Sequence, residues 1–164
     1  MEESPIEYKV ALAGNTAVGK TSLFDKLTTG EFFEKKIAAI QMDKKSLSIE
    51  IEVNQNDKMV NKEIKISLID TPGKERFRDI AKKYLRKSDG ILLLYDITNK
   101  ESFKHIENWI EIIHESLGNH KNSKYIIILI GNKVNLLEFK DYERQVNEDE
   151  AKAICEEKSL IWGG

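Results

Sequence analysis

The sequence predicts an α/β fold with a mostly parallel sheet covered on both faces and an antiparallel edge supplied by one hairpin. Three observations carry this. Ile6, Tyr8, Val10 and Leu12 alternate as in a strand and run through Ala13-Gly14 into a helical repeat of Leu23, Phe24 and Leu27 that stops at Gly30. Ile91 to Tyr95 and Tyr125 to Ile130 are apolar at every position, as strands buried on both faces are. Between them, Phe103, Ile106, Ile110, Ile113 and Leu117 repeat with helical period before Gly118.

The elements then follow in order. After the first strand, glycine turn and helix, Leu47, Ile49, Ile51 and Val53 alternate, and Ile64, Ile66 and Leu68 repeat the pattern beyond the polar stretch Asn54 to Lys62. This reads as a hairpin with a long, exposed tip. Phe77, Ile80, Ala81, Tyr84 and Leu85 fall at i, i+3, i+4, i+7, i+8, the clearest amphipathic helix in the chain. A strand at Gly90 to Asp96 comes next, and Thr98 with Glu101 reads as a capping box opening the following helix. After the strand Tyr125 to Gly131, Asn147 and Glu150 form a second capping box for a helix whose inner face is Ala151, Ile154 and Cys155. Leu160 to Trp162 begins one more strand.

Composition narrows the function classes. The 164 residues amount to one ordinary domain. Their 26 Lys+Arg against 28 Asp+Glu leave a net charge of -2, which indicates no nucleic-acid surface. A single cysteine, Cys155, and an acidic start from Met1 to Glu7 without a signal-peptide pattern favour a reducing, cytosolic compartment. The apolar runs are far too short to cross a bilayer, so no transmembrane segment is expected.

Gly14-Asn15-Thr16-Ala17-Val18-Gly19-Lys20-Thr21 fits G-x-x-x-x-G-K-[ST] between a strand and a helix. Its glycines let the backbone N–H groups from Asn15, Thr16, Ala17, Val18 and Gly19 on to Ser22 wrap a phosphate at a helix N-terminus. Lys20 reaches the outer phosphates, and the Thr21 hydroxyl can ligate Mg²⁺. Asp70 ends a strand and opens Asp70-Thr71-Pro72-Gly73 at the same carboxyl edge of the sheet, where its carboxylate would hold Mg²⁺ through water. The Gly73 N–H can meet a terminal phosphate, since glycine permits close backbone approach. Gly131-Asn132-Lys133-Val134-Asn135 follows a third strand; Asn132 can bond a purine edge and the Lys133 stem can lie over the base.

These three motifs, in this order and spacing, resemble the Ras superfamily of small GTPases. The Rab branch is most similar, through Lys74-Glu75-Arg76-Phe77-Arg78, Tyr84-Leu85-Arg86, Gly90 to Thr98 and Glu101-Ser102-Phe103. The resemblance covers essentially the whole chain, residues 1–164. It implies a single G domain of the three-layer phosphate-loop fold that binds GTP or GDP with Mg²⁺. It further implies a switch in vesicle traffic whose two mobile loops are read by effector and regulator proteins. By position, Phe32 matches the aromatic that packs against guanine in the family, with Phe33 as the competitor.

Four departures bear on mechanism. The family's water-orienting glutamine after D-x-x-G is Lys74 here, and a lysine cannot accept from that water, so hydrolysis is expected to be very slow. The first-switch threonine is replaced by Ala39, unless Ser46 or Ser48 takes its place. Asn135 stands where N-K-x-D has its aspartate. An amide offers guanine one acceptor instead of two, so Asn135 either weakens guanine and suits xanthine or has turned away from the base. Finally, the sequence ends at Gly163-Gly164, where the family continues into a last base loop and helix. This suggests the front part of a longer chain, with any membrane anchor outside it and an apolar sheet face left open. The alternatives to a slow GTPase are a pseudo-GTPase interaction module and a phosphate-loop ATPase or kinase, the latter opposed by Asn132-Lys133.

Overall fold

The computed structural model describes residues 6–31, 43–55, 58–73, 78–118 and 125–163. Phe32, Phe33, Ala39 and Lys74 lie outside the described residues. Six strands, β1 (Ile6–Ala13), β2 (Asp43–Gln55), β3 (Lys58–Asp70), β4 (Gly90–Asp96), β5 (Ile126–Asn132) and β6 (Ile161–Trp162), form one sheet in the order β2-β3-β1-β4-β5-β6. Among the described residues only the β2–β3 pair is antiparallel; the other four pairs are parallel. This is the α/β architecture read from the sequence, with the hairpin at one edge. The chain runs outward from β1 to the β3 side and returns to β4 on the other. The end of β1 is therefore a topological switch point, the place where such sheets bind ligands.

Alternation along the strands sorts two cores. On one face Ala11, Ala13, Ile91, Leu93 and Leu129 pack against α2 (Arg78–Leu85), α4 (Ile106–Leu117) and α5 (Glu148–Lys158) through Leu85, Ile113 and Ala151. On the other, Leu12 and Leu68 meet Phe24 of α1 (Lys20–Thr29). Beyond α1, the second face carries Tyr8 at 45% and Ile126 at 52% exposure.

Several expectations need correction. The polar stretch Asn54 to Lys62 is no long tip: the ladder continues to Gln55↔Lys58. With solvent on both faces of the ribbon, polar side chains cost nothing there and backbone pairing decides. Thr98 does not cap a helix. Its hydroxyl and N–H both donate to Asp96 Oδ1, and the N-cap is Asn99, whose side chain accepts from the N–H groups of Glu101 and Ser102. The expected single helix accordingly divides into α3 (Lys100–Lys104) and α4, with His105 between them. Leu27 and Ile80, expected in the core, are exposed. The second capping box, Asn147 with Glu150, forms as expected.

Candidate nucleotide site

The loop from Gly14 to Gly19 takes its shape from left-handed residues. Ala17 at φ 65° and Gly19 at φ 96° flank Val18, which has negative φ, and this alternation curls successive N–H groups into an anion-binding nest ahead of α1. Gly14 has no alternative, because a Cβ there would collide with the Leu94 carbonyl and lie 3.3 Å from Val18. Within the curl, Lys20 is 6% exposed and its ammonium donates to the carbonyls of Gly14 (2.8 Å) and Asn15 (2.7 Å). An ammonium has three protons, and these two carbonyls engage two of them. Burial lowers the Lys20 pKa to about 8, with the Asp70 carboxylate opposing the shift.

Asp70 closes β3 beside the loop and is almost wholly buried. The Thr21 hydroxyl donates to Asp70 Oδ2 at 2.6 Å, which brings together two oxygen groups 49 positions apart. Mg²⁺ takes oxygen ligands, uses one or two protein groups and keeps waters, so this pair fits one corner of its shell. Thr71 then donates to the Leu12 carbonyl at 2.6 Å and pins the turn after Asp70 to β1. The pinned turn delivers Gly73 onto the loop: a Cβ at Gly73 would fall on the Lys20 ammonium and within 2.8 Å of the Asn15 carbonyl. Only glycine fits, which accords with a backbone N–H meeting a terminal phosphate.

Ser46 and Ser48 are removed as substitutes for the missing switch threonine. The β2–β3 register sets Asp43 opposite Asp70, while Ser46 faces Ser67 and Ser48 faces Lys65. At about 3.4 Å per residue, Ser46 lies roughly 10 Å along the strand from the metal corner.

The third loop brings contacts of its own. The Asn132 side-chain amide donates to the Val18 carbonyl at 2.9 Å, so the residue clamps the phosphate loop. Lys133 holds a left-handed φ of 71° and its ammonium pairs with Asp96 at 2.7 Å. Asn135 is exposed on a short 3-10 turn, Val134–Glu138. Thr16 and Ala17 are exposed on the loop, and Ser22 lies in the first turn of α1.

Three glycine-bearing loops thus converge at the carboxyl ends of β1, β3 and β5 with a buried lysine and a threonine–aspartate pair. A family model described as Ras family matches residues 9–163. The chain belongs to the Ras family. It is similar to the Ras-related protein rab-39 of Caenorhabditis elegans, 36% identical over 146 residues that cover 89% of this chain and 59% of the worm protein. Rab-11C of Dictyostelium discoideum is 35% identical over 159 residues, covering 97% of this chain and 64% of that protein. Human Rab-30 is 34% identical over 162 residues, covering 99% and 72%. The chain spans less than two thirds of the length of the first two relatives.

Within this Rab-like Ras-family chain, the sequence reading missed a set of supporting residues. Asp96 anchors Lys133, Thr71 anchors the Asp70 turn, and His105 and Trp109 reach Asn15 from 90 and 94 positions away. No local pattern announces such partners. Among the described residues, no helix is long and apolar enough to cross a membrane.

Proposed function

We propose that the chain binds a guanine nucleotide, GTP or GDP, with Mg²⁺, and acts as a Rab-like switch in vesicle and membrane traffic. In this reading residues 1–164 form one G domain. Asn15 to Ser22 and Gly73 hold the phosphates, Thr21 and Asp70 hold the ion, and Phe32, Asn132, Lys133 and Asn135 surround the base. Bound Mg²⁺ supplies charge neutralisation at the β- and γ-phosphates. The observation that carries the reading is the buried Lys20 ammonium on the Gly14 and Asn15 carbonyls beside the Thr21–Asp70 pair. That arrangement suits a polyphosphate with a divalent cation and has no evident use without one.

Lys74 leaves this G domain without a glutamine to orient water, and Ala39 leaves it without the first-switch hydroxyl. Intrinsic hydrolysis is therefore slow or absent. Effector and regulator proteins are its partners, and its place is the cytoplasm and the cytosolic face of endomembranes. The same two substitutions favour a second reading, a pseudo-GTPase that binds nucleotide and partners without turnover.

Identifying the nucleotide carried through purification tests the first claim. GDP or GTP is expected; ATP, or an empty protein that binds no added guanine nucleotide, would end the guanine reading. Single-turnover phosphate release from γ-labelled GTP separates the two readings. Slow release that Lys74→Gln accelerates supports the GTPase, and release no faster than in buffer, unchanged by Lys74→Gln, supports the module.

A further inference from the structure

Asn15 does more than contribute a backbone group to the phosphate loop. Its side chain leaves the loop and bridges to the helical layer: Trp109 Nε1 donates to Asn15 Oδ1 at 2.7 Å, and Asn15 Nδ2 lies 2.7 Å from His105 Nδ1. Trp109 is 2% exposed in the core of α4, and His105 is the residue between α3 and α4. The chemistry admits one arrangement. Indole nitrogen is a donor only, so the amide oxygen must face Trp109. The amide nitrogen then faces His105, whose Nδ1 must accept. A neutral imidazole with its proton on Nε2 satisfies this, and Nε2 is directed towards Glu101, 3.8 Å away.

The backbone of the same residue performs a second task. The Asn15 carbonyl accepts from the Lys20 ammonium at 2.7 Å, and the carbonyl carbon and oxygen form the surface against which Gly73 rests. One peptide therefore touches the phosphate-binding lysine and the start of the segment after β3, while its side chain is held at one point by α4 and at another by the residue that caps it. Rotation of that peptide would break both side-chain bonds, move the lysine's anchor and change the space available to Gly73.

The geometry points to Asn15 as a positioning residue, clamped by Trp109 and His105, that fixes the Lys20 ammonium and thereby couples the α3–α4 junction to nucleotide retention. The nucleotide part rests on the guanine-binding reading, whereas the lysine part does not. Movement of α4, which also packs against α2, would reach the phosphates through this single amide.

The test uses the full chain with two readouts. The first is the acylation rate of Lys20 against that of Lys26, an exposed internal control, followed by peptide mass spectrometry without added nucleotide. Asn15→Ala is expected to raise Lys20 labelling at least severalfold relative to Lys26. The second is dissociation of fluorescent GDP and GTP analogues. Asn15→Ala and Trp109→Phe are each expected to speed release by about 5- to 30-fold, and the double variant no more than the faster single one, because both cut the same bond. His105→Asn, whose amide oxygen can replace Nδ1, should release nucleotide like the parent chain, while His105→Leu should not.

A merely structural role would lower thermal stability without this pattern. Unchanged Lys20 labelling in Asn15→Ala, multiplied effects in the double variant, or equal behaviour of His105→Asn and His105→Leu would each overturn the proposal. A parent chain that binds no guanine nucleotide would defeat the functional reading instead, and the labelling experiment would still decide whether Asn15 fixes Lys20.

Discussion

The Asn132 side-chain amide holds the Val18 carbonyl at 2.9 Å, joining loops 114 residues apart, and the same amide nitrogen occupies the space a Cβ on Gly19 would take. Two glycine-loop motifs that read as separate ligand groups are thus one mechanical unit. Asn132→Ala should weaken nucleotide binding even for a nucleotide whose base makes no use of residue 132. Loss of this part-buried hydrogen bond, which strands the Val18 carbonyl, corresponds to about 1–3 kcal/mol. Titrating GDP and uridine diphosphate, whose pyrimidine has no purine edge, against both chains checks this; parallel losses are expected, and a loss confined to GDP would mean that the asparagine serves the base alone.

Gly73→Ala would place a methyl on the Lys20 ammonium and the Asn15 carbonyl. The lysine tip can bend away but the loop backbone cannot, so the cost resembles overpacking, about 1–3 kcal/mol, or roughly 5- to 150-fold in affinity. Because the N–H of Gly73 is assigned to a terminal phosphate, GTP should lose more than GDP. Equilibrium binding of the two nucleotides measures the difference, and equal losses would remove Gly73 from the γ-phosphate.

Lys20 makes binding depend on pH. Burial lowers its pKa to about 8, and a bound phosphate, adding negative charge, raises it again. Binding therefore takes up a proton above pH 8. Affinity should be flat below about pH 7, begin to fall near pH 8 and decline towards tenfold per pH unit by pH 9. Stability of the nucleotide-free protein runs the other way. The unfolded chain, with lysine at its ordinary value of 10.5, holds more protons than the folded one across that window, so stability rises with pH. Calorimetric titration and thermal melts at matched pH values give both slopes, and a binding constant unchanged to pH 9 would show that the lysine is not at the phosphates.

Asn135→Asp should restore a second acceptor for guanine. The gain is about 2–4 kcal/mol, roughly 30- to 1000-fold in GTP affinity, with a matching loss for the xanthine nucleotide. Competition between the two nucleotides in each chain tests it. No change for either base would mean that Asn135, exposed on its 3-10 turn, has turned away from the base.

The sheet, its hairpin edge and the three loops were legible because each rests on local periodicity or on a glycine pattern beside a strand end. The strand Gly90 to Asp96 and the Asn147–Glu150 cap needed nothing beyond neighbours in sequence. Thr98 and the supposed hairpin tip were misread for a shared reason. In each case a competing hydrogen-bond partner won: Asp96, two residues earlier, took the threonine, and the facing strand took Asn54, Gln55 and Lys58 to Lys62.

The sequence by itself determined that a phosphate loop, an aspartate turn and an asparagine–lysine loop would stand along one edge of a sheet, since strand order and motif position require it. Only the tertiary structure decided that Asn132 clamps Val18, that Lys133 pairs with Asp96 and that Asn15 hangs from Trp109 and His105. A side-chain hydrogen bond is set by distance and direction in space. Residues 90 or more positions apart leave no periodic trace of meeting until the chain has folded.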